Sequence, residues 1–303
     1  MTDTTSNLPQ TYLPPDWEGA VQAFLAEKQA RSGSHGTARE YARLLSRFFG
    51  GLDGKTPDVV TPAEVFTFAY GKGPSGREPS AATVGLRLAA ISSLYAFLQR
   101  MDLVTANPCD RVQRPRAEPS PPRGLDKGEI RALLTAIPNT PAGKRDKALI
   151  LTFLYTGRRR SEILSLRVGD LSRNAGVFYA YRSKGGKVNR RELPEPCFLA
   201  IVEALAARGK EIEGMADDEP LFDVSAHGFY LNLRRYFRNA KLPPAGVHVL
   251  RHTAAKLRRD VGESVEDVSR FLDHANLAVT TIYLRRLEGE QDTGWRKVAA
   301  LLP

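Results

Sequence analysis

Cysteine is almost absent from this sequence. Cys109 and Cys197 stand far apart, and two isolated cysteines make neither a disulfide framework nor a multi-cysteine metal site. They are expected to be buried free thiols in a reducing compartment. A leader is missing too: the opening MTDTTSNLPQTYLPPD is polar and punctuated by proline, without the basic start and apolar centre of a signal peptide. No apolar run approaches the ~18 residues that a membrane span requires. A cytoplasmic protein without membrane contact is expected. Internal repeats, long low-complexity stretches and an Asp/Glu cluster of the two-metal kind are absent as well, so no metal and no other cofactor is expected.

What is present is positive charge. Forty-four Lys/Arg against 34 Asp/Glu give a formal net charge of +10. The excess is uneven: residues 1–118 carry a net +1 and the remainder +9. Such a balance favours an anionic partner, nucleic acid before a membrane surface. The competing reading is a well-solvated basic surface.

With 303 residues the chain is long enough for two domains, each with its own core. The first half carries helical stripes. Trp17, Val21, Phe24 and Leu25 share one face, and Tyr41, Leu44, Leu45, Phe48 and Phe49 another. Val84, Leu88, Ile91, Tyr95 and Leu98 alternate spacings of four and three, the seam of a buried helix. Thr61-Pro62-Ala63-Glu64 is a capping box with proline at the first helical position. A compact helical domain over 15–112 is expected. Residues 113–124 hold four prolines and read as a semi-rigid extended connector, whose Arg114, Arg116 and Arg123 either touch phosphates or are simply solvated.

A second domain is expected over 125–303. Asp126 and Glu129 form a helix start, with Leu125 placed to staple onto Ile130. Residues 144–156 read as a buried helix. Two short strands, 176–182 and 188–193, flank the hairpin turn Ser183-Lys184-Gly185-Gly186-Lys187. Helices follow near 196–208, 226–239, 247–260, 265–272, 278–286 and 292–301. The fold class is mainly α with a small β-sheet.

Four segments carry candidate chemistry. Arg158, Arg159 and Arg160 follow the buried helix; a helical run of three would point them in three directions, so one or two at most reach any single site. Lys184 sits at a hairpin tip, free to reach a neighbouring groove. His248 and Arg251 share a helical face at i, i+3. His248 and His252 at i, i+4 evoke zinc, but the metalloprotease pattern needs Glu after the first His, and Val249 stands there. Last come Leu272-Asp273-His274 and Thr280-Thr281-Ile282-Tyr283.

In order and spacing these segments resemble the tyrosine recombinase family of phage integrases and Xer-type resolvases. The family's Thr-Gly-Leu-Arg-x-Ser-Glu-Leu stretch is matched by Thr156-Gly157-Arg158-Arg159-Arg160-Ser161-Glu162-Ile163, which assigns the first arginine to Arg159. Its hairpin lysine is matched by Lys184, its His-x-x-Arg by His248 and Arg251, and its following histidine by His252. Its Leu-Gly-His is matched by Leu272-Asp273-His274, and its nucleophile by Tyr283, nine residues on. The resemblance covers nearly the whole chain. It implies a helical core-binding domain followed by a mixed α/β catalytic domain, and a site-specific recombinase that cuts and rejoins double-stranded DNA through a 3′-phosphotyrosyl link.

The roles implied are specific. Arg159 and Arg251 clamp the phosphate, His248 accepts the Tyr283 proton, and Lys184 protonates the departing 5′ oxygen. His274 hydrogen-bonds a non-bridging oxygen. Glu162 holds an arginine or histidine in place, and His252 supports the site. Arg234, Arg235 and Arg238 share one helix and are candidate phosphate contacts. Trp295, Val298, Leu301 and Leu302 give the last helix an apolar face, expected to dock on a neighbouring subunit of a tetramer built on two DNA sites. No separate arm-binding domain is expected before residue 15, which favours a short integrase or Xer-like protein. Two departures stand out: Asp273 where the family has Gly, expected to place a carboxylate beside His274 and close to the phosphate, and Arg158 where Leu is usual. Rival functions are a DNA-binding protein of the same fold without the chemistry, a type IB topoisomerase, and a zinc hydrolase using His248, His252 and His274.

Overall fold

The computed structural model of the chain describes residues 15–32, 35–116, 123–173, 176–183 and 186–273. The chain divides near residue 119 into two compact units.

The first unit is helical: α1 (Pro15–Ser32), α2 (His35–Gly50), α3 (Pro62–Tyr70) and α4 (Ala81–Arg100). The stripes seen in the sequence supply its core. Val21, Phe24, Leu25, Leu45, Phe48, Phe49, Leu88, Ile91, Tyr95 and Leu98 are all buried together. The capping box forms as written: the Thr61 N–H donates to Glu64 Oε2 at 2.8 Å, and the Glu64 N–H donates to Thr61 Oγ1 at 3.3 Å. By length and composition alone α4 is apolar enough to cross a membrane, contrary to the expectation from its runs. Its apolar face is the centre of this unit's core, and it carries a buried arginine. Arg87 Nη1 donates to the carbonyls of Phe68 (2.9 Å), Ala69 (3.0 Å) and Gly71 (2.6 Å). These are carbonyls that the end of α3 cannot satisfy internally.

The second unit starts with the other capping box. Asp126 and Glu129 exchange backbone-to-carboxylate bonds of 2.7 and 3.0 Å and open α5 (Lys127–Thr135). The N–H of fully buried Leu125 donates to Thr253 Oγ1 at 2.9 Å, tying the start of this unit to a helix 128 positions later in sequence. The central helix is α6 (Pro141–Thr156), packed against α8 (Glu195–Ala206) and α10 (His248–Asp260). Short α7 (Arg160–Leu164) follows it. Three antiparallel strands in the order β1 (Leu171–Ser172), β2 (Phe178–Arg182), β3 (Val188–Glu192) form the sheet, with Arg182 opposite Val188 beside the hairpin turn. Tyr179 and Tyr181 point from β2 into the core. α9 (Ala226–Asn239) and α11 (Val265–Phe271) complete the described elements.

A fully buried carboxylate fixes α9 to α6. Asp146 accepts from Arg145 at 2.8 and 3.0 Å, from Asn232 Nδ2 at 2.9 Å and from the Tyr236 hydroxyl at 2.7 Å. A buried charge is tolerated only when paired and hydrogen-bonded in this way. The two cysteines are both buried free thiols, and burial pushes each up to about 12, leaving them protonated and unreactive.

Among the α-helices and strands described, two escaped the sequence. α7 and β1 are too short for any periodicity to show. The helices anticipated near 278–286 and 292–301 lie outside the described residues, as do Lys184, His274 and Tyr283.

Candidate active site

The first arginine of the site is positioned where α6 ends. Gly157 takes φ +61°, the left-handed conformation of a helix C-cap, and its N–H closes back on Phe153 O at 2.9 Å. The next residue cannot continue the helix, so Arg158 and Arg159 leave it on an irregular path, and Arg160 opens α7. They diverge. Arg158 turns inward and is 2% exposed, Arg159 is partly exposed, and Arg160 faces solvent.

Arg159 occupies the cap position of α7. Its backbone N–H donates to Glu162 Oε2 at 2.7 Å and its guanidinium Nη1 donates to Glu162 Oε1 at 3.0 Å. Only the return half of a capping box is possible here, since a guanidinium cannot accept a hydrogen bond. The carboxylate of Glu162, itself buried, thereby fixes both the main chain and the side chain of Arg159.

Arg251, on the first turns of α10, is buried at 7% exposure. Nη1 donates to Gly157 O and Nη2 donates to Leu272 O, both at 2.6 Å. Two of its five N–H donors are thus spent on these carbonyls, which fixes the orientation of the planar fork. Burial, with the neighbouring charges of Arg159 and Arg158, pushes Arg251 down to about 10. Such crowding of like charge is unfavourable in an empty site and is relieved by a bound anion.

The two histidines of α10 lie beside this arginine, with ring centroids 6.1 Å apart. His248 stands at the rim, exposed on its outer side. It is held below its ordinary range by partial loss of hydration, then by Arg251, Arg160 and Arg159. His252 is pushed down to about 4 by burial and by the charges of His248 and Arg251. Both are neutral at physiological pH, the state in which an imidazole accepts a proton.

Sequence comparison decides what this arrangement belongs to. Residues 123–290 match the group described as the phage integrase family, and residues 21–101 match its N-terminal SAM-like domain. The chain belongs to the phage integrase family. It is therefore a tyrosine-type site-specific recombinase, and its relatives carry that name. A tyrosine recombinase XerD of Halalkalibacterium halodurans is 27% identical over 280 residues, 87% of this chain and 91% of the relative. A tyrosine recombinase XerC of Herpetosiphon aurantiacus is 29% identical over 211 residues, 66% of this chain and 68% of the relative. A lambda integrase dimer solved on a core site has the same fold, with TM-score 0.68 at 16% identity over 91% of this chain and 98% of that one.

Of the recombinase's anticipated site residues, the described structure brings together Arg159, Glu162, His248, Arg251 and His252. The Asp273 carboxylate is engaged by the protein itself: it accepts from Arg158 and from the Tyr181 hydroxyl, and from Arg191 Nη2 at 2.8 Å. Arg123 is likewise occupied, paired with Glu129 and bonded to Pro243 O at 3.4 Å. Arg114 and Arg116 are exposed.

Arg234, Arg235 and Arg238 are exposed on α9. Arg234 lies over Tyr230 and Arg235 over Tyr236, and among the described residues none of the three has an ion pair. Two contributors were not foreseen, Tyr181 and Arg191, because they stand in the strands beside the hairpin turn and belong to none of the motifs themselves. The signal that pointed to them was the pair of departures at 158 and 273, which reads correctly only once the two are seen to touch.

Proposed function

We propose that this recombinase cleaves and rejoins double-stranded DNA through a covalent link between Tyr283 and the 3′ phosphate. Arg159 and Arg251 take the two non-bridging oxygens, where charge concentrates as the phosphorus becomes five-coordinate. The Tyr283 phenolic oxygen attacks phosphorus and passes its proton to His248. The bond to the 5′ oxygen breaks, and Lys184 supplies the proton that makes it a hydroxyl. His274 donates to a non-bridging oxygen. One phosphoester is exchanged for another, so resealing is the same steps in reverse and needs no nucleotide. Supporting this is one observation above the rest: a buried guanidinium anchored on two carbonyls, with a second arginine and a neutral histidine beside it.

The test is to trap the adduct. The protein is incubated with nicked suicide duplexes from DNA flanking its own gene, and the linked peptide is mapped by mass spectrometry after digestion. Linkage at residue 283 is the expected result. Tight, specific binding to a recognised site without any adduct favours a DNA-binding protein of the same fold and overturns the proposal.

DNA binding is proposed to use the exposed face of α9, together with Arg114 and Arg116. Changing Arg234, Arg235 and Arg238 to glutamine is expected to weaken binding about equally for all sequences. The slope of log K against log salt should become shallower by about 0.9 for each phosphate contact removed. Binding titrations at several salt concentrations measure it, and an unchanged slope places the DNA elsewhere. The protein is proposed to work in the cytoplasm as a tetramer on two sites, its C-terminal helix docking in trans.

A further inference from the structure

Arg158 and Asp273 carry no role in the scheme above, yet they are the two positions where the sequence departs from its family's motifs. They touch each other. Arg158 donates through Nη1 to Asp273, and through Nε to Thr156 O at 3.0 Å. The Tyr181 hydroxyl accepts from Arg158 and donates to Asp273, which a phenol can do at once. Arg191 takes the other carboxylate oxygen. The Arg158 guanidinium also lies over the Tyr181 ring, 4.9 Å from its centroid.

Their neighbours in the chain give the pair its meaning. Arg251 is held by the carbonyls of Gly157 and Leu272. Arg158 directly follows Gly157, and Asp273 directly follows Leu272. The ion pair therefore fastens together the two chain segments whose carbonyls form the cradle of Arg251. Asp273 sits at φ +51°, a conformation that costs an L-residue energy unless its side chain is well partnered. Its three partners provide that. A buried arginine beside Arg251 would otherwise repel it, and the Asp273 charge offsets this.

We infer that Arg158 and Asp273 act as a coupled positioning pair that sets the width of the Arg251 cradle, so that each requires the other for DNA cleavage. This rests on Arg251 being the phosphate clamp. Neither residue touches the phosphate; both work through Arg251.

The pair is tested by a double-mutant cycle in the full chain, reading the single-turnover cleavage rate at saturating DNA separately from the dissociation constant. Asp273→Asn keeps a side chain that tolerates the left-handed backbone while removing the charge, and leaves Arg158 buried without its counter-ion. Arg158→Leu leaves an apolar side chain among Tyr181 and Phe271. Each is expected to lower the cleavage rate by about tenfold or more, within the usual coupling range of contacting residues, with DNA affinity little changed. The double variant R158L/D273G, in which glycine takes the left-handed backbone freely, is expected to recover most of the rate. Rates unchanged in folded single variants, or a double variant as slow as the product of the singles, overturn the inference. A D273N that does not fold also overturns it, since the pair is then structural. Arg251→Ala runs alongside: wild-type cleavage in that variant sinks the clamp itself, whereas a dead Arg251→Ala with a normal D273N sinks the pair alone.

Discussion

Arg251→Lys is expected to slow strand cleavage by roughly 10²–10³, the usual consequence of losing one preorganised donor to a transition-state oxyanion. Charge is conserved in this change, so the loss would come from geometry. A guanidinium spans Gly157 O and Leu272 O with its two terminal nitrogens, each at 2.6 Å, and still has donors for phosphate. An ammonium has three donors on one nitrogen and no fixed fork, so it cannot bridge both carbonyls and grip an anion. Lysine in the same buried position, beside Arg159 and Arg158, is also driven toward its neutral form by desolvation and like charge. Affinity for DNA should change little, since most of it comes from phosphate contacts spread over the surface. Rapid-quench cleavage at saturating DNA, with a parallel binding titration, separates the two. A lysine variant that cleaves within a few-fold of wild type removes Arg251 from the chemistry.

Gly157→Ala is expected to be the most disruptive single change at the end of α6. At φ +61° an added Cβ would come 2.5 Å from Phe271 Cε1, 2.8 Å from Cζ and 3.1 Å from Leu272 Cδ2. The left-handed backbone costs an L-residue about 1–2 kcal/mol, and overpacking a filled site adds about 1–3 kcal/mol. The sum, about 2–5 kcal/mol, is a large fraction of a domain's stability. Urea unfolding followed by circular dichroism measures it. Because the Gly157 carbonyl also holds Arg251, cleavage should fall in the protein that remains folded. A stability loss below about 0.5 kcal/mol would mean that Phe271 and Leu272 move aside freely, as only unconstrained surface sites do.

The helical stripes and both capping boxes were legible because their causes are local. A 3.6-residue period places Leu88, Ile91, Tyr95 and Leu98 on one face whatever they meet. Thr61 and Glu64, or Asp126 and Glu129, satisfy each other's backbone within one turn. The same seam placed α4 in the core, although its length and composition alone pass for a membrane span. Arg87 marks it instead as a core helix, since its guanidinium caps α3, a contact that no window along the chain contains.

The candidate site divides along the same line. The motifs at 156–163 and 248–252 named Arg159, Glu162, His248, Arg251 and His252 because each residue's chemical type is required and its spacing is short. Arg158 and Asp273 could be seen only as departures, with Asp273 expected beside His274 and close to the phosphate, and the contact between the two was not foreseen. They are 115 positions apart, and nothing in either segment specifies the other.

The sequence by itself determined the family, the longer helices of the described residues, the residues that carry charge and the order in which they occur. It did so because those depend on residue identity and on spacing of a few positions. Only the tertiary structure decided where the charges point. Burial and pairing are set by what arrives from distant segments: α10 carries Arg251 between Gly157 and Leu272, and β2 and β3 carry Tyr181 and Arg191 to Asp273. An ion that must lose water needs its partner within hydrogen-bond reach, and that partner is supplied by the fold.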